Sequence, residues 1–222
     1  SYVGTEGDDK NTNEVWTVLT TDGEAADQKV AFPGSDKDES VVGLAGNDEI
    51  DGGAGDDTID GGTGSDTIYG DSGNDVLEGG DNDDELWGGD GNETFEGGVA
   101  DNDTIDGGAG DDTINGESGD DVLKGGDDND SLKGFKGEDT LFGGGGNDTL
   151  KGNKGEDSLD GNDGNDWIWG HPGNDTLNGG EGNDFLDGGD GNDLLKGEAG
   201  VDTFTLSEGN DTIAGFEVGV DR

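Results

Sequence analysis

The sequence predicts an all-β solenoid, in which coils of 18 residues, each built from two nine-residue units, stack as parallel strands. Three observations predict it. Units such as GGAGDDTID from Gly52, GGTGSDTIY from Gly61 and GGEGNDFLD from Gly179 recur in register. The 51 glycines of the 222-residue chain gather at the same places in successive units. One apolar residue returns every ninth position and is flanked by polar or β-branched neighbours, which is the pattern of a minimal strand that points one side chain inward.

The chain opens with its least repetitive part, residues 1–33. Gly4 to Asp9 reads as one isolated repeat turn, followed by strand candidates at Val15 to Leu19 and Lys29 to Phe32. This segment is expected to cap the open edge of the first coil, or else to form a small ligand-binding insert. A degenerate unit, GSDKDESVV from Gly34 to Val42, begins the array, which is expected to run over 34–214. Six regular units cover Gly43 to Glu96, one ten-residue unit covers Gly97 to Asp106, eleven cover Gly107 to Thr205, and a last one covers Leu206 to Ala214. Residues 215–222 read as the start of a C-terminal capping segment.

Each position within the unit has a physical reason. The first is Gly in every regular unit except the last, where it is Leu206, and the fourth is mostly Gly, with Asn82 and Asp128 as substitutes. Those are the residue types that best tolerate the left-handed backbone of a tight turn. The eighth is always Ile, Leu or Phe, from Ile50 to Ile213, so the core is one residue per unit. Stacking at about 4.8 Å per coil gives a rod of roughly 45 Å.

The sixth position carries the charge. It is occupied by Asp48, Asp57, Asp66, Asp75, Asp84, Glu93, Asp103, Asp112, Asp121, Asp130, Asp139, Asp148, Asp157, Asp166, Asp175, Asp184, Asp193, Asp202 and Asp211. With two units per coil, Asp48 lies under Asp66, Asp57 under Asp75, and Asp166 under Asp184. Two ladders of carboxylates about 5 Å apart repel, and no basic residue is interleaved often enough to neutralise them. A divalent cation between coils would do so. Carboxylates and turn carbonyls form an all-oxygen ligand set suited to the hard ion Ca²⁺ rather than to Mg²⁺ or a transition metal.

The pattern GGxGxDxUx, with U apolar, resembles the RTX calcium-binding nonapeptide repeat. The resemblance implies a right-handed parallel β-roll with Ca²⁺ held between turns on the same edge by the sixth-position side chains and neighbouring carbonyls. It also implies a secreted or surface-anchored bacterial protein that leaves the cell through type I secretion machinery. The stretch from Asn210 to Asp221 looks like the capping segment that follows such arrays. At most about 17 same-edge pairs exist, and 17 ions would bring the net charge from −48 to −14. Glu93 and the extra residue before Asp103 are expected to weaken or reshape the sites that pair Glu93 with Asp75 or Asp112, and Asp103 with Asp84.

Composition excludes several other functions. With 58 acidic and 10 basic residues, the chain repels nucleic acid and anionic membranes, and no apolar run is long enough to span a bilayer. It has no Cys for disulfides or thiolate chemistry, and the lack of Met, even at position 1, suggests a piece of a longer product. Only 25% of residues are hydrophobic, which alone describes a disordered chain, so the fold is expected only with calcium bound. The GDSG at Gly70 to Gly73 is no protease nucleophile, because the one histidine, His171, lies 11 units away in a turn. No enzymatic activity is expected. The outward aromatics Tyr69 and Trp87, 18 residues apart, and the pair Trp167 and Trp169 leave room for an alternative role as a glycan-binding adhesin module. A role as accessory module of an exported enzyme is a further alternative. Ice binding is disfavoured, because charged residues such as Asp81, Lys136 and Glu181 interrupt the turn face.

Overall fold

Short strands with one inward apolar residue cannot bury that residue alone, so each must lie against its equivalents one coil away. A computed structural model describes residues 16–19, 29–31, 37–99 and 101–216. It is a right-handed parallel β-solenoid of about ten turns, with 18 residues per turn and no helix among the described residues. Strands alternate between two eleven-stranded parallel sheets. The first sheet includes Glu39–Val42, Thr58–Thr63 and Val76–Asp81, and ends at Thr203–Thr205. The second includes Glu49–Ala54, Thr67–Ser72 and Glu85–Asp90, and ends at Thr212–Ala214.

Register follows the repeat. Ile50 pairs with Ile68, and Leu141 with Leu159, each with its equivalent one coil on. The eighth-position side chains from Ile50 to Leu195 stand at 0–1% exposure in one continuous column, joined at its start by Val41 from the degenerate unit. Phe204 and Ile213 at the far end are only partly buried. The ten-residue unit changes nothing in this column. Across it the offset becomes 19 once in each sheet, Ile105 against Leu86 and Ile114 against Phe95, and 18 is restored at the next coil. The extra residue is absorbed between the strands Thr94–Val99 and Thr104–Ala109.

Two strands of the N-terminal segment extend the stack. Trp16–Leu19 pairs with Glu39–Val42 and Lys29–Ala31 with Glu49–Asp51, both parallel. The strand candidates at Val15 to Leu19 and Lys29 to Phe32 thus correspond to described strands, whereas the isolated turn at Gly4 to Asp9 and the segment from 217 onward lie outside the described residues.

The turns use the conformations that the glycine pattern predicts. Asn82 and Asp128, standing for Gly at the fourth position, adopt φ of 82° and 78°. His171, at a second position, has φ of 72°, and its carbonyl packs against Gly189 one coil on. It takes its place in a turn of the array.

Candidate metal centre

Each sixth-position residue sits where a turn runs into a strand. Its side chain points into the solenoid rather than along the outer edge, and the carboxylates from Asp48 to Asp202 are only 0–4% exposed. They form two columns. Asp57, Asp75, Glu93, Asp112, Asp130, Asp148, Asp166, Asp184 and Asp202 share one edge; Asp48, Asp66, Asp84, Asp103, Asp121, Asp139, Asp157, Asp175, Asp193 and Asp211 share the other. Asp211, in the last coil, is half-exposed because no described coil covers it.

From Asp57 onward, one oxygen of each aspartate has a fixed partner. The backbone N–H of the equivalent residue one coil earlier donates to it, as from Asp48 to Asp66 at 2.7 Å, Asp57 to Asp75 at 2.8 Å and Asp148 to Asp166 at 2.8 Å. These bonds recur along both columns, interrupted only at Glu93 among the described residues, from Glu39 to Asp57 at 2.6 Å up to Asp193 to Asp211 at 3.2 Å. The other oxygen, Oδ2, is buried and accepts no hydrogen bond in any of the aspartates from Asp57 to Asp193. A buried carboxylate oxygen with no donor is costly, and a ladder of them calls for a cation.

The glycines close the oxygen cradle. A Cβ on Gly79 would stand 2.5 Å from Asp84 Oδ2 and 2.6 Å from the Gly97 carbonyl, and Gly61 stands in the same relation to Asp66 and Gly79. At the fourth position, Gly182 has φ of 142° and faces the Gly164 carbonyl one coil below. The turn interior is therefore lined by carboxylate and carbonyl oxygens and admits no side chain. Among the described residues no three carboxylates or imidazoles converge on one point. Each pair of turns thus offers two carboxylates and must draw further ligands from carbonyls. That all-oxygen set fits a hard cation with six to eight ligands.

Burial dominates the electrostatics. It holds Asp66, Asp148 and Asp166 up at about 6, Asp121 and Asp175 at about 7, and Asp84 and Asp130 at about 8, against the downward pull of the backbone hydrogen bond each accepts. Neighbouring carboxylates in the same column raise most of them further, as Asp103 does for Asp84. A nearby divalent charge would reverse that balance.

Glu93 and Asp103 behave differently from one another. Glu93 breaks its column: neither of its oxygens accepts a hydrogen bond, so the bond expected from the Asp75 N–H is missing. Its own N–H still donates to Asp112 at 2.8 Å. Burial, with Asp112 beside it, pushes Glu93 up to about 9. The disturbance expected at Asp103 does not occur, because the register shift restores the spacing and Asp84 N–H donates to Asp103 Oδ1 at 2.9 Å. Sequence reasoning missed Glu39, which occupies the sixth position of the degenerate unit, is 4% exposed and donates to Asp57. Its signal was the unit's own pattern, GSDKDESVV.

A second polar ladder runs outside the first. Fifth-position side chains accept from the N–H one coil on, as Asn147 does from Asn165 at 3.0 Å and Asn165 from Asn183 at 2.9 Å. These bonds brace the exposed edges of the turns. On the second sheet the rings of Tyr69 and Trp87 stack with centroids 4.9 Å apart and 8° between planes.

The family model of the RTX calcium-binding nonapeptide repeat (4 copies) matches residues 33–68, 69–99, 98–123, 116–150, 142–177, 151–186 and 178–213. No curated protein matches the chain. Among solved structures the chain is similar to the crystal structure of a hyperactive, Ca²⁺-dependent, β-helical antifreeze protein from an Antarctic bacterium. The identity is 22%, the TM-score 0.33, and the match covers 93% of this chain and 86% of that one.

Proposed function

The chain belongs to the RTX calcium-binding nonapeptide repeat family, and from that premise we propose that it is a calcium-conditional spacer. On this reading it is part of a larger secreted or surface-anchored bacterial protein, threads unfolded through type I secretion machinery from a low-calcium cytosol, and folds outside. The observation that carries the reading is the pair of buried columns in which, from Asp57 to Asp193, the aspartate Oδ2 atoms have no hydrogen-bond donor. Asp48 to Asp211, with turn carbonyls, hold the ions. Bound calcium supplies the positive charge that the ladders lack, and the protein's own residues supply preorganisation. The backbone N–H bonds aim each carboxylate, and the first- and fourth-position glycines keep the turn interior clear.

Sites made from two carboxylates plus carbonyls bind in the range of about 10⁻⁴ to 10⁻³ M, that of extracellular modules. Binding and folding are one cooperative event, because each repeat is stabilised only by its neighbours. Equilibrium dialysis tests the reading: about ten to 17 ions per chain are expected at millimolar calcium, and one or two would overturn it.

A further inference from the structure

The basic residues are not spread evenly over this acidic rod. Four of the ten stand in two registered pairs on adjacent strands of the first sheet, Lys133 beside Lys151 and Lys136 beside Lys154. Like charges at directly opposed strand positions destabilise a sheet, and in a chain with 58 acidic residues a neutralising carboxylate is the expected neighbour. None of the four forms an ion pair with a described residue, whereas Lys124 on the second sheet pairs with Asp106 at 3.4 Å. Lys136 reaches only the Ser118 hydroxyl, at 3.3 Å. Lys151 instead lies over the ring of Trp169, 5.2 Å from its centroid.

The next two strands of the same sheet continue the strip with aromatic rings. Trp167 follows Thr149 in register and Trp169 follows Lys151, and Phe185 lies beyond Trp167. Trp167 and Phe185 stack at 5.2 Å, and Trp169 leans on both at 5.7 and 5.8 Å. In the Tyr69–Trp87 stack, by contrast, both rings are half-buried. Trp167 keeps 54% of its surface in solvent. From the strand of Lys151 to that of Phe185 is about 10 Å, room for two sugar rings along the rod.

We propose that this strip binds a carboxylated polysaccharide. Its pyranose C–H faces lie on Trp167 and Trp169, and its carboxylates meet Lys151 and Lys154. The unneutralised ammoniums supply the charge complementarity that an otherwise anionic rod lacks, with Lys151 over Trp169 and Lys154 three residues further along the same strand. Asp187, opposite Trp169, offers an acceptor to sugar hydroxyls and disfavours a partner with a negative charge on every residue, such as nucleic acid.

Calcium-loaded protein is titrated with a hyaluronan oligosaccharide, followed by tryptophan fluorescence and calorimetry, with a cellulose oligosaccharide and polyglutamate as comparisons. Hyaluronan is expected to bind more tightly than either. Trp167→Ala is expected to weaken it at least about tenfold. A Lys151→Gln/Lys154→Gln variant is expected to abolish the preference over the neutral sugar, and Trp87→Ala is expected to leave binding unchanged. The calcium-induced circular dichroism signal of each variant separates lost binding from lost folding; should Trp167→Ala fail to fold, the lysine variant decides. Absence of hyaluronan binding, equal binding by the lysine variant, tighter binding of polyglutamate, or self-association of the rod through this face would overturn the proposal.

Discussion

A single carboxylate oxygen decides how this protein responds to its surroundings. From Asp57 onward, Oδ1 of each ladder aspartate accepts from a backbone N–H, and the buried Oδ2 is satisfied by a proton or a cation. Because burial raises the folded-state values of these groups above the ordinary value of 3.8, to about 6 at Asp166 and about 8 at Asp130, the metal-free fold binds more protons than the unfolded chain. Metal-free stability is therefore greatest below about pH 4 and is lost as pH rises through these raised values. Calcium competes with the same protons, so the midpoint of a calcium titration is expected to move to higher concentration as pH falls from about 8 to about 6. Tryptophan fluorescence at both pH values checks this, and an unchanged midpoint contradicts it. Glu93 marks the one sixth-position side chain within the regular units that is too long for the ladder. Glu93→Asp restores the acceptor for the Asp75 N–H and is expected to stabilise the calcium-loaded protein by about 1 kcal/mol, read as a higher thermal midpoint. Gly79→Ala places a methyl against Asp84 Oδ2 and the Gly97 carbonyl, and a loss of at least about 2 kcal/mol is expected in chemical denaturation.

At the scale of the strand, the core is one residue deep and has no reserve. Ile114 is fully buried in mid-rod, while Ile213 in the last coil is only partly covered. Ile114→Ala is expected to cost about 3 kcal/mol, and Ile213→Ala less than about 1, because only the first removes a side chain packed on both sides. Denaturant unfolding of the two calcium-loaded variants compares them, and equal losses would contradict a column stabilised through neighbours. The strands and their register were legible in the period alone, since nine-residue spacing with one apolar position leaves one way to stack Ile50 on Ile68. Other features were not legible in it. The inward aim of the aspartates depends on a backbone N–H one coil earlier, which no local pattern announces. The tolerance of the ten-residue unit depends on both sheets shifting together, so that Asp103 keeps its place. The strip of lysines and aromatics is spread over several units of the sequence, and the sheet order is what places Lys151 and Lys154 beside the strand of Trp167 and Trp169.

The whole molecule is a rod whose charge and fold are two statements of one fact. A net charge of −48 on 222 residues, with a quarter of them hydrophobic, describes disorder, and the stacked columns describe order on condition that cations lie between the turns. On the proposed reading, a chain that switches between these states with calcium suits passage through a narrow channel followed by folding outside. Far-UV circular dichroism of the chain at neutral pH, recorded as calcium is raised and then removed with excess chelator, tests the central claim most directly. A β signal that appears cooperatively between about 10⁻⁴ and 10⁻³ M calcium, is not reproduced by magnesium and vanishes on chelation is the predicted result. A β signal that persists unchanged in excess chelator would contradict it.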